Sequence, residues 1–285
     1  MTKVILENYC RCLVMSGKKS ESLNQGGKMK VEIILSAIGT NEVVLPRINL
    51  NILQSFVYSI FSPERARFLH DSGYQYQNRK FKLFTFSWLA GKKKRIEEKH
   101  IVFQSPLKLV LSSPLTPVLE DLASGALNKE QLRLGNNNII CNSVKVFREP
   151  GTTEDMRVKT LSPITCYSTM YKKDGTPYTV YYSPFEEEFK EQIHNNLVKK
   201  FSLVFPEKNL PESKVVIKPI GKPRLQVALF RADDPRPIKG WWGNFRLTGP
   251  KELLSVAIDA GLGAKNSSGW GCVTPIRGRD EPEGA

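Results

Sequence analysis

Long hydrophobic runs are absent from this chain of 285 residues. Its longest apolar stretches, such as LKLVL and VEIIL, fall far short of the roughly 20 residues that cross a bilayer as a helix. The first residues also lack the apolar segment and the small-residue cleavage site of a secretory signal. We therefore expect a protein that is not exported and has no membrane partner.

Cysteine is scarce, and its pattern excludes several classes of small domain. The five cysteines, Cys10, Cys12, Cys141, Cys166 and Cys272, are odd in number and form no CxxC pair. They predict neither a disulfide framework nor a zinc knuckle. No carboxylate cluster and no His/Cys set has the spacing of metal ligands. We expect a cytoplasmic protein with no metal and no cofactor.

Acidic residues are outnumbered. The chain has 42 lysine and arginine residues against 28 aspartate and glutamate residues, which gives a net charge of +14 and a pI near 9.5. An excess of this size favours a polyanionic partner, usually nucleic acid and sometimes an anionic membrane. No basic amphipathic helix stands out, so the membrane is the weaker alternative. The third alternative is a basic surface that has no functional role.

The order of predicted elements repeats along the chain. Residues 29–150 and 151–278 each show the pattern βαββαβ, and the stretch 149–156 has the composition of a linker. This predicts an α+β protein of two ferredoxin-like (RRM-like) domains in tandem. We expect the leader 1–28 to be disordered or an upstream start artefact, and the tail 279–285 to be unstructured.

The first half combines two neighbouring helical segments with several strands. NLNILQSFVYSIF carries an apolar stripe at helical spacing, formed by Leu53, Phe56, Val57 and Ile60. SPERARFLHDSG follows, with Ser62 as N-cap, Pro63 in the first turn and Gly73 as the stop signal. The predicted strands are 30–38, KFKLFTFSWLA, KHIVFQS and NIICNSVKVFRE, with the helix SPLTPVLEDLASGAL before the last.

The second half repeats this order with a longer first helix. SPFEEEFKEQIHNNLVKKF begins with Ser183 as N-cap, Pro184 in the first turn and Glu186 completing a capping box. Its apolar residues recur every four positions, at Phe185, Phe189, Ile193 and Leu197. The predicted strands are RVKTLSPITCYS, SKVVIKPI, PRLQVALFR and GWGCVTPI, with the helix GPKELLSVAIDA before the last. GWWGNF is expected to pack at an interdomain or loop surface.

The segment AIDAGLGAKNSSGWGCV concentrates glycine near the end of the chain. A nucleotide loop runs from strand to glycines to helix, whereas here a helix comes first and a strand follows, so neither a P-loop nor a dinucleotide fold is indicated. We expect Gly261 to end the helix, and the other glycines to let the backbone approach a partner and offer N–H groups to anions. Trp270 either packs in the core or stacks on a base.

The spacing GLG, five residues, then GWGCV resembles the C-terminal glycine-rich motif of CRISPR-associated repeat-processing endoribonucleases, the Cas Six family. QSFVYSIF, ARFLHDSGY, KLFTFSWL, VKVFREP and KTLSPI resemble the family in the same order, from about Met29 to Val273. The resemblance implies metal-independent cleavage of CRISPR precursor RNA within the repeat by attack of the 2′-hydroxyl. The products implied are a 2′,3′-cyclic phosphate and a 5′-hydroxyl, and guide RNAs for antiviral defence.

The same resemblance implies three catalytic residues. FLHDSGY matches the family's catalytic-histidine segment and singles out His70, which the helix end and Asp71 favour in its protonated form. Tyr58 holds the VY position, and its helix spacing predicts that it faces away from the core. Lys82 heads the strand KLFTFS, where the family has its lysine. Histidine suits proton transfer, tyrosine can hydrogen-bond or help deprotonate the nucleophile, and lysine supplies charge. His100 and His194 are expected to be structural.

Candidate RNA-binding residues are more widely spread. The run GKKKR supplies Lys92, Lys93, Lys94 and Arg95, and the second half adds Arg224, Arg231, Gly261, Gly263, Lys265, Asn266, Gly269 and Gly271. The expected partner is CRISPR repeat RNA; association with a CRISPR effector complex and homodimer formation are left open. A protein that binds repeat RNA without cutting it, and a structural subunit of a CRISPR ribonucleoprotein, remain alternatives. The glycine loop is expected to mark the family rather than to take part in cleavage.

Overall fold

The computed structural model describes residues 29–148 and 152–276. The leader, the tail and part of the predicted linker lie outside the described residues. Two large apolar cores occupy the described chain, one in each half. The first gathers buried side chains from Val31 to Ile139, and the second from Val158 to Val273.

The first half consists of eleven described strands and three helices. The strands are β1 Met29–Ala37, β2 Glu42–Pro46, β3 Tyr74–Tyr76, β4 Arg79–Phe81, β5 Thr85–Phe86, β6 Ala90–Gly91, β7 Lys94–Ile96, β8 His100–Gln104, β9 Leu107–Ser112, β10 Leu132–Leu134 and β11 Asn137–Arg148. The helices are α1 Leu50–Ile60, α2 Pro63–Arg67 and α3 Thr116–Asn128, and a π-helical turn, Phe68–Ser72, follows α2. The predicted stripe of α1 is buried in the first core, as expected.

The central sheet of this half has the strand order β10-β11-β1-β9-β5, with all described pairs antiparallel. Its third ferredoxin-like strand is β9, which lies beside β1, and this corrects the prediction for KHIVFQS. That segment forms β8, which pairs with β2 and β7 in a separate sheet. The reason lies in burial: five of the six side chains of β9 are buried, whereas β8 begins with an exposed residue.

The predicted strand KFKLFTFSWLA is also interrupted. β4 ends at Phe81 and β5 begins at Thr85. Leu83, between them, has a φ of +53°, which is incompatible with extended backbone. Lys82 therefore lies in a bend between two strands and does not begin a strand as predicted.

The second half has the same architecture. Its elements are β12 Asp155–Thr160, β13 Tyr167–Tyr171, β14 Pro177–Tyr181, α4 Glu187–Val204, β15 Val216–Leu229, β16 Pro237–Thr248, α5 Lys251–Ala260, a 3₁₀ turn Asn266–Ser268 and β17 Val273–Pro275. The sheet order is β15-β16-β12-β17. Both halves thus place their first and third ferredoxin-like strands at the centre of an antiparallel sheet under two helices. The predicted α+β fold of tandem ferredoxin-like units is confirmed.

Several predictions for the second half are corrected. SKVVIKPI and PRLQVALFR join into the single strand β15, with a register shift between Ile220 and Arg224, and GWWGNF forms part of its partner β16. RVKTLSPITCYS is divided between β12 and β13. Helix α4 begins at Glu187, and Phe185 is 63% exposed, because the chain turns at Ser183 before the helix starts. The remaining residues of the α4 stripe are buried.

No helix in the described ranges is long and apolar enough to cross a membrane.

Candidate active site and basic groove

His70 lies in the π-helical turn that continues α2. The N–H of Gly73 donates to the carbonyl of Phe68 at 2.7 Å and closes this turn. Gly73 has a φ of +61°, and a Cβ at this position would lie 2.6 Å from the Phe81 carbonyl oxygen. Only glycine fits this position without a shift of the backbone. The predicted stop signal is therefore confirmed, and it determines where the His70 segment ends.

The imidazole of His70 is paired with the neighbouring carboxylate. His70 Nδ1 lies 2.7 Å from Asp71 Oδ1, and the His70 side chain is 78% exposed. The hydrogen bond from His70 holds the pKa of Asp71 below its usual value. Because an ionised carboxylate only accepts hydrogen bonds, Nδ1 carries the proton in this pair. His70 Nε2 is then the ring nitrogen that takes no part in this pair.

Two lysines bind the backbone of the same turn. Lys82 Nζ donates to the carbonyl of His70 at 2.7 Å, and Lys80 Nζ donates to the carbonyl of Asp71 at 2.8 Å. Burial lowers the pKa of Lys82, and the positive charge of Lys80 lowers it further. The structure therefore brings Lys82 to the backbone of His70, and places two cations on the carbonyls of this turn.

Tyr58 lies against His70, and the prediction that it faces away from the core is wrong. Its ring centroid is 6.3 Å from that of His70 and 5.8 Å from that of Phe84. The side chain is half-buried, because the π-helical turn and the glycine-rich loop cover this face of α1. Burial raises the pKa of Tyr58 to about 12, although the neighbouring Ser267 side chain lowers it in part. At neutral pH Tyr58 is therefore an uncharged phenol that can donate a hydrogen bond.

This protonation state can be measured. We expect one tyrosine to ionise near pH 12, and we expect its titration to be missing from a Tyr58→Phe variant when phenolate absorbance is followed. Because the folded state holds this proton more tightly than the unfolded chain, whose tyrosines ionise near 10, Tyr58's contribution to stability falls as pH rises from about 10 to about 12. Tyr171→Phe, at an exposed site, is the matched control. A Tyr58 that ionises near pH 10 would contradict the buried position.

The glycine-rich loop, residues 261–272, is packed inside the molecule. Its glycines have positive φ angles between +67° and +83° and are buried: Gly261, Gly263, Gly269 and Gly271. A Cβ at Gly263 would lie 2.4 Å from the Thr165 carbonyl oxygen, and one at Gly269 would lie 2.8 Å from the Phe86 ring. These glycines therefore allow close packing within the protein. Their direct contact with RNA stays a prediction, which their burial does not favour.

The tip of this loop reaches the first half of the chain. Gln54 Nε2 donates to the Ser267 carbonyl at 2.8 Å and approaches Ser268 Oγ at 3.0 Å. The Ser267 side chain lies close enough to Tyr58 to lower its pKa in part. The loop thus lies against the helix that carries Tyr58. Sequence reasoning missed Gln54 and Ser267, although Gln54 precedes Tyr58 by one helical turn and Ser267 lies between the paired glycine motifs.

Trp270 packs in the core, which decides between the two alternatives for this residue. It is fully buried and lies edge-to-face with Trp88, with ring centroids 5.8 Å apart. Trp88 Nε1 in turn donates to the Gly269 carbonyl at 2.7 Å. A Cβ at Gly240 would lie 2.6 Å from the Trp270 ring. Trp270 therefore joins the two halves and is closed to a stacking base.

A basic groove lies between the two halves, with a cavity volume of about 430 Å³. Its walls include cationic and aromatic side chains: Arg47, Trp88, Lys94, Phe103, Arg224 and Trp242. Lys94 Nζ is 5.7 Å from the Phe103 ring centroid, and the Arg224 guanidinium is 6.0 Å from that of Trp242. The fold therefore brings two predicted RNA-binding residues, Lys94 and Arg224, into one groove.

The other cationic candidates are dispersed. Lys92 and Lys93 are exposed in the turn before β7. Arg95 and Arg231 form ion pairs with neighbouring carboxylates, at 2.9 Å and 2.8 Å, which reduces the charge they offer to a ligand. Lys265 is exposed on the glycine-rich loop, with its Nζ 5.3 Å from the Tyr167 ring centroid.

His194 lies in the second half, on α4. His194 Nδ1 accepts the N–H of Val215 at 3.3 Å, and burial lowers its pKa, as expected of a structural histidine. Cys141 and Cys166 are free thiols. Within residues 29–148 and 152–276, no group of three or more His, Cys, Asp or Glu side chains is arranged to hold a metal ion.

Comparison with known proteins identifies the family. The family model described as CRISPR-associated protein Cas6, N-terminal, matches residues 49–145, and the one described as CRISPR associated protein Cas6, C-terminal, matches residues 147–275. The chain belongs to the Cas6 family. It is 28% identical over 260 residues to the CRISPR-associated endoribonuclease Cas6 1 of Methanocaldococcus jannaschii, with 89% of this chain and 95% of that protein covered.

Two further Cas6 proteins extend this similarity. The CRISPR-associated endoribonuclease Cas6 of Pyrococcus furiosus is 29% identical over 226 residues, which cover 78% of this chain and 80% of that protein. A solved structure titled CRISPR associated protein Cas6 has a TM-score of 0.71 and 28% identity, and covers 88% of this chain and 100% of that one. Membership of the Cas6 family therefore extends over both ferredoxin-like halves, including the glycine-rich loop and the His70 turn.

Proposed function

We propose that this chain is an endoribonuclease that cleaves CRISPR precursor RNA within the repeat. The observation that carries the proposal is the convergence of Tyr58, His70 and Lys82 beside the glycine-rich loop of a Cas6-family protein. The three side chains come from α1, the π-helical turn and the bend after β4, and the exposed His70 ring leaves the cluster open to a large substrate. The naming of two relatives as endoribonucleases supports the proposal.

In the proposed reaction the RNA supplies its own nucleophile, and no metal ion is needed. The 2′-oxygen loses its proton to solvent and forms a bond to the adjacent phosphorus, and the bond from phosphorus to the 5′-oxygen breaks. Protonated His70 gives its Nε2 proton to the leaving 5′-oxygen. Asp71 holds the imidazole in place through Nδ1. The products are a 2′,3′-cyclic phosphate and a 5′-hydroxyl.

The other two residues act on charge and orientation. Neutral Tyr58 donates a hydrogen bond at the 2′-oxygen, since a phenol with a pKa of about 12 is too weak an acid to provide a base at neutral pH. Lys82 stabilises the negative charge that develops on the phosphate oxygens. Lys94 and Arg224 in the basic groove bind the RNA backbone, with aromatic groove walls available for stacking.

Association with an effector complex and homodimer formation stay predictions, as do the domain limits 29–150 and 151–278.

The role of Lys82 can be separated from that of its neighbour. We expect Lys82→Ala to lower the single-turnover cleavage rate by about a hundredfold, because it removes the charge that faces the phosphate. Lys80→Ala is the matched control, since Lys80 binds the same turn through the Asp71 carbonyl, and we expect it to change the rate by less than about threefold. Equal losses in the two variants would assign both lysines to the stability of the turn.

The proposed function is tested by incubating the full chain with repeat RNA from its own locus in the presence of EDTA. Cleavage at one position in the repeat is the expected result. RNA that is bound but intact would contradict the nuclease proposal and identify a repeat-binding protein. Co-purification with CRISPR proteins that is insensitive to salt and independent of RNA would indicate a structural subunit instead.

A further inference from the structure

Lys200, on α4, is enclosed in the second half with only 2% of its surface exposed. Its Nζ lies within hydrogen-bonding distance of four oxygens: the carbonyls of Gly261 at 2.7 Å, Ala260 at 3.2 Å and Gly263 at 3.4 Å, and Asn266 Oδ1 at 2.7 Å. All four acceptors belong to the end of α5 or to the glycine-rich loop. The last carbonyls of a helix have no partner within the helix and attract a cation. Lys200 therefore ties the end of α5 to the loop.

Burial of this cation has a cost. It lowers the pKa of Lys200 to about 7, because the interior disfavours the charged form. The acceptors around Nζ are neutral carbonyl and amide oxygens, which offset only part of that cost. An apolar side chain at this position would be free of the penalty. The contacts of Lys200 thus indicate a role beyond filling space.

Asn266 carries the connection across the loop. While its Oδ1 accepts from Lys200, its Nδ2 donates to the carbonyls of Leu262 at 3.1 Å and Trp270 at 3.0 Å. A Cβ at either Gly261 or Gly271 would lie 2.7 Å from this Nδ2. Two of the loop glycines therefore leave room for the Asn266 amide. The Asn266 side chain therefore joins the two ends of the loop and is itself bound by the buried ammonium group of Lys200.

The next residue meets the catalytic candidates. Ser267 follows Asn266 directly. Its side chain lies close enough to Tyr58 to lower the pKa of that phenol in part, and its carbonyl accepts the Gln54 amide at 2.8 Å. We propose that Lys200 is a positioning residue for RNA cleavage: through Asn266 it fixes the glycine-rich loop, so that Ser267 orients the hydroxyl of Tyr58. The inference rests on the proposed function, in which that hydroxyl faces the reacting 2′-oxygen. The second half of the chain thereby aligns a residue of the first half.

Hydrogen exchange on the free protein tests the connection without RNA. In Lys200→Met, which keeps the length and loses the donors, we expect the amides of Leu262 and Gly271 to exchange at least about tenfold faster. Lys30→Met is the matched control: Lys30 is also fully buried and donates to the Val273 carbonyl in β17, just after the loop. We expect it to lower global stability with a smaller effect on loop exchange. Lys200→Arg, which retains charge and donors, should restore part of the protection.

Cleavage kinetics complete the test. We expect Lys200→Met to lower the single-turnover rate at saturating RNA by about tenfold or more with RNA affinity unchanged within about twofold, because misplacement alone slows chemistry. If Lys200→Met does not fold, Asn266→Ala provides the same two measurements with the same expected direction. Loop exchange and cleavage at wild-type rates in Asn266→Ala, or losses in Lys200→Met no larger than in Lys30→Met, would overturn the inference.

The two proposals fail in different ways. Full cleavage by a His70→Ala variant would defeat the assigned chemistry, yet the loop exchange of Lys200→Met would still report whether Lys200 holds the loop. Conversely, a slow His70→Ala variant together with an unaffected Lys200→Met variant would leave the proposed function in place and remove the positioning role.

Discussion

Replacing His70 with alanine is expected to reduce the single-turnover rate of repeat cleavage by about a thousandfold, within the range typical for loss of a general acid. RNA affinity should stay within about twofold. The His70 side chain is mostly exposed and its described hydrogen bond is to Asp71, so its removal affects proton transfer far more than folding. The measurement is the rate of repeat RNA cleavage with enzyme in excess, together with a filter-binding affinity.

A matched histidine distinguishes this effect from a general loss. His100 lies exposed at the start of β8, and His100→Ala should retain the wild-type rate. Thermal unfolding midpoints of the two variants should agree with that of the unaltered chain. A His70→Ala rate within about threefold of wild type would show that the leaving oxygen takes its proton from another donor.

Gly271→Ala is expected to lower the free energy of unfolding by more than about 3 kcal/mol. The φ of +73° at this position is unfavourable for alanine by about 1 to 2 kcal/mol. In addition, the new Cβ would lie 1.9 Å from the Leu262 carbonyl oxygen and 2.7 Å from Asn266 Nδ2. The backbone must move to relieve these contacts, which disrupts the loop that joins the halves. Urea unfolding curves measure the loss.

Gly175 provides the control for backbone conformation alone. It has a φ of +80° in the turn between β13 and β14, and a Cβ there would meet no atom within 4 Å. Gly175→Ala should therefore lose only about 1 kcal/mol. Equal losses in the two variants would mean that the close packing around Gly271 does not contribute to stability.

The fold was largely predictable because its signals are local. Hydrophobic spacing located α1 and the buried part of α4, and cap residues located the ends of α2 and the His70 turn. The sequence could not show which of two adjacent apolar segments joins the central sheet, since β9 and β8 differ in their long-range pairing with β1 and β2. The same limit explains why β15 was divided and why GWWGNF was not predicted as part of a strand, although its Trp242 packs against Trp88 of the other half as the interdomain prediction expected.

The catalytic candidates could be predicted from local sequence, whereas the residues that pack against them could not. Tyr58, His70 and Lys82 were found through local motifs, and the structure brings them together. The burial of Tyr58 was missed, because part of the cover over it comes from a loop more than half the chain away. The burial of Lys200 could have been predicted from helical periodicity. Lys200 follows Leu197 by three residues and so extends the buried stripe of α4. A lysine at a core position of an amphipathic helix indicates a buried partner.

The glycine-rich loop shows how a motif can be identified correctly and interpreted incompletely. Its spacing indicated the family, and its expected task was to present N–H groups to RNA. In the structure two of those groups are used internally, with Gly269 donating to the Asn266 carbonyl and Gly271 to that of Pro163. The exposed residue of the loop is Lys265. The loop therefore contributes to the site mainly through its close packing within the protein.

The central claim is that the RNA's own 2′-hydroxyl is the nucleophile. Its most direct test is a repeat RNA with a single 2′-deoxy nucleotide on the 5′ side of the cut, incubated with the full chain in EDTA. The account predicts that this RNA binds and remains intact, while the all-ribose RNA yields a 2′,3′-cyclic phosphate and a 5′-hydroxyl. Cleavage of the 2′-deoxy RNA at the same phosphate would contradict it.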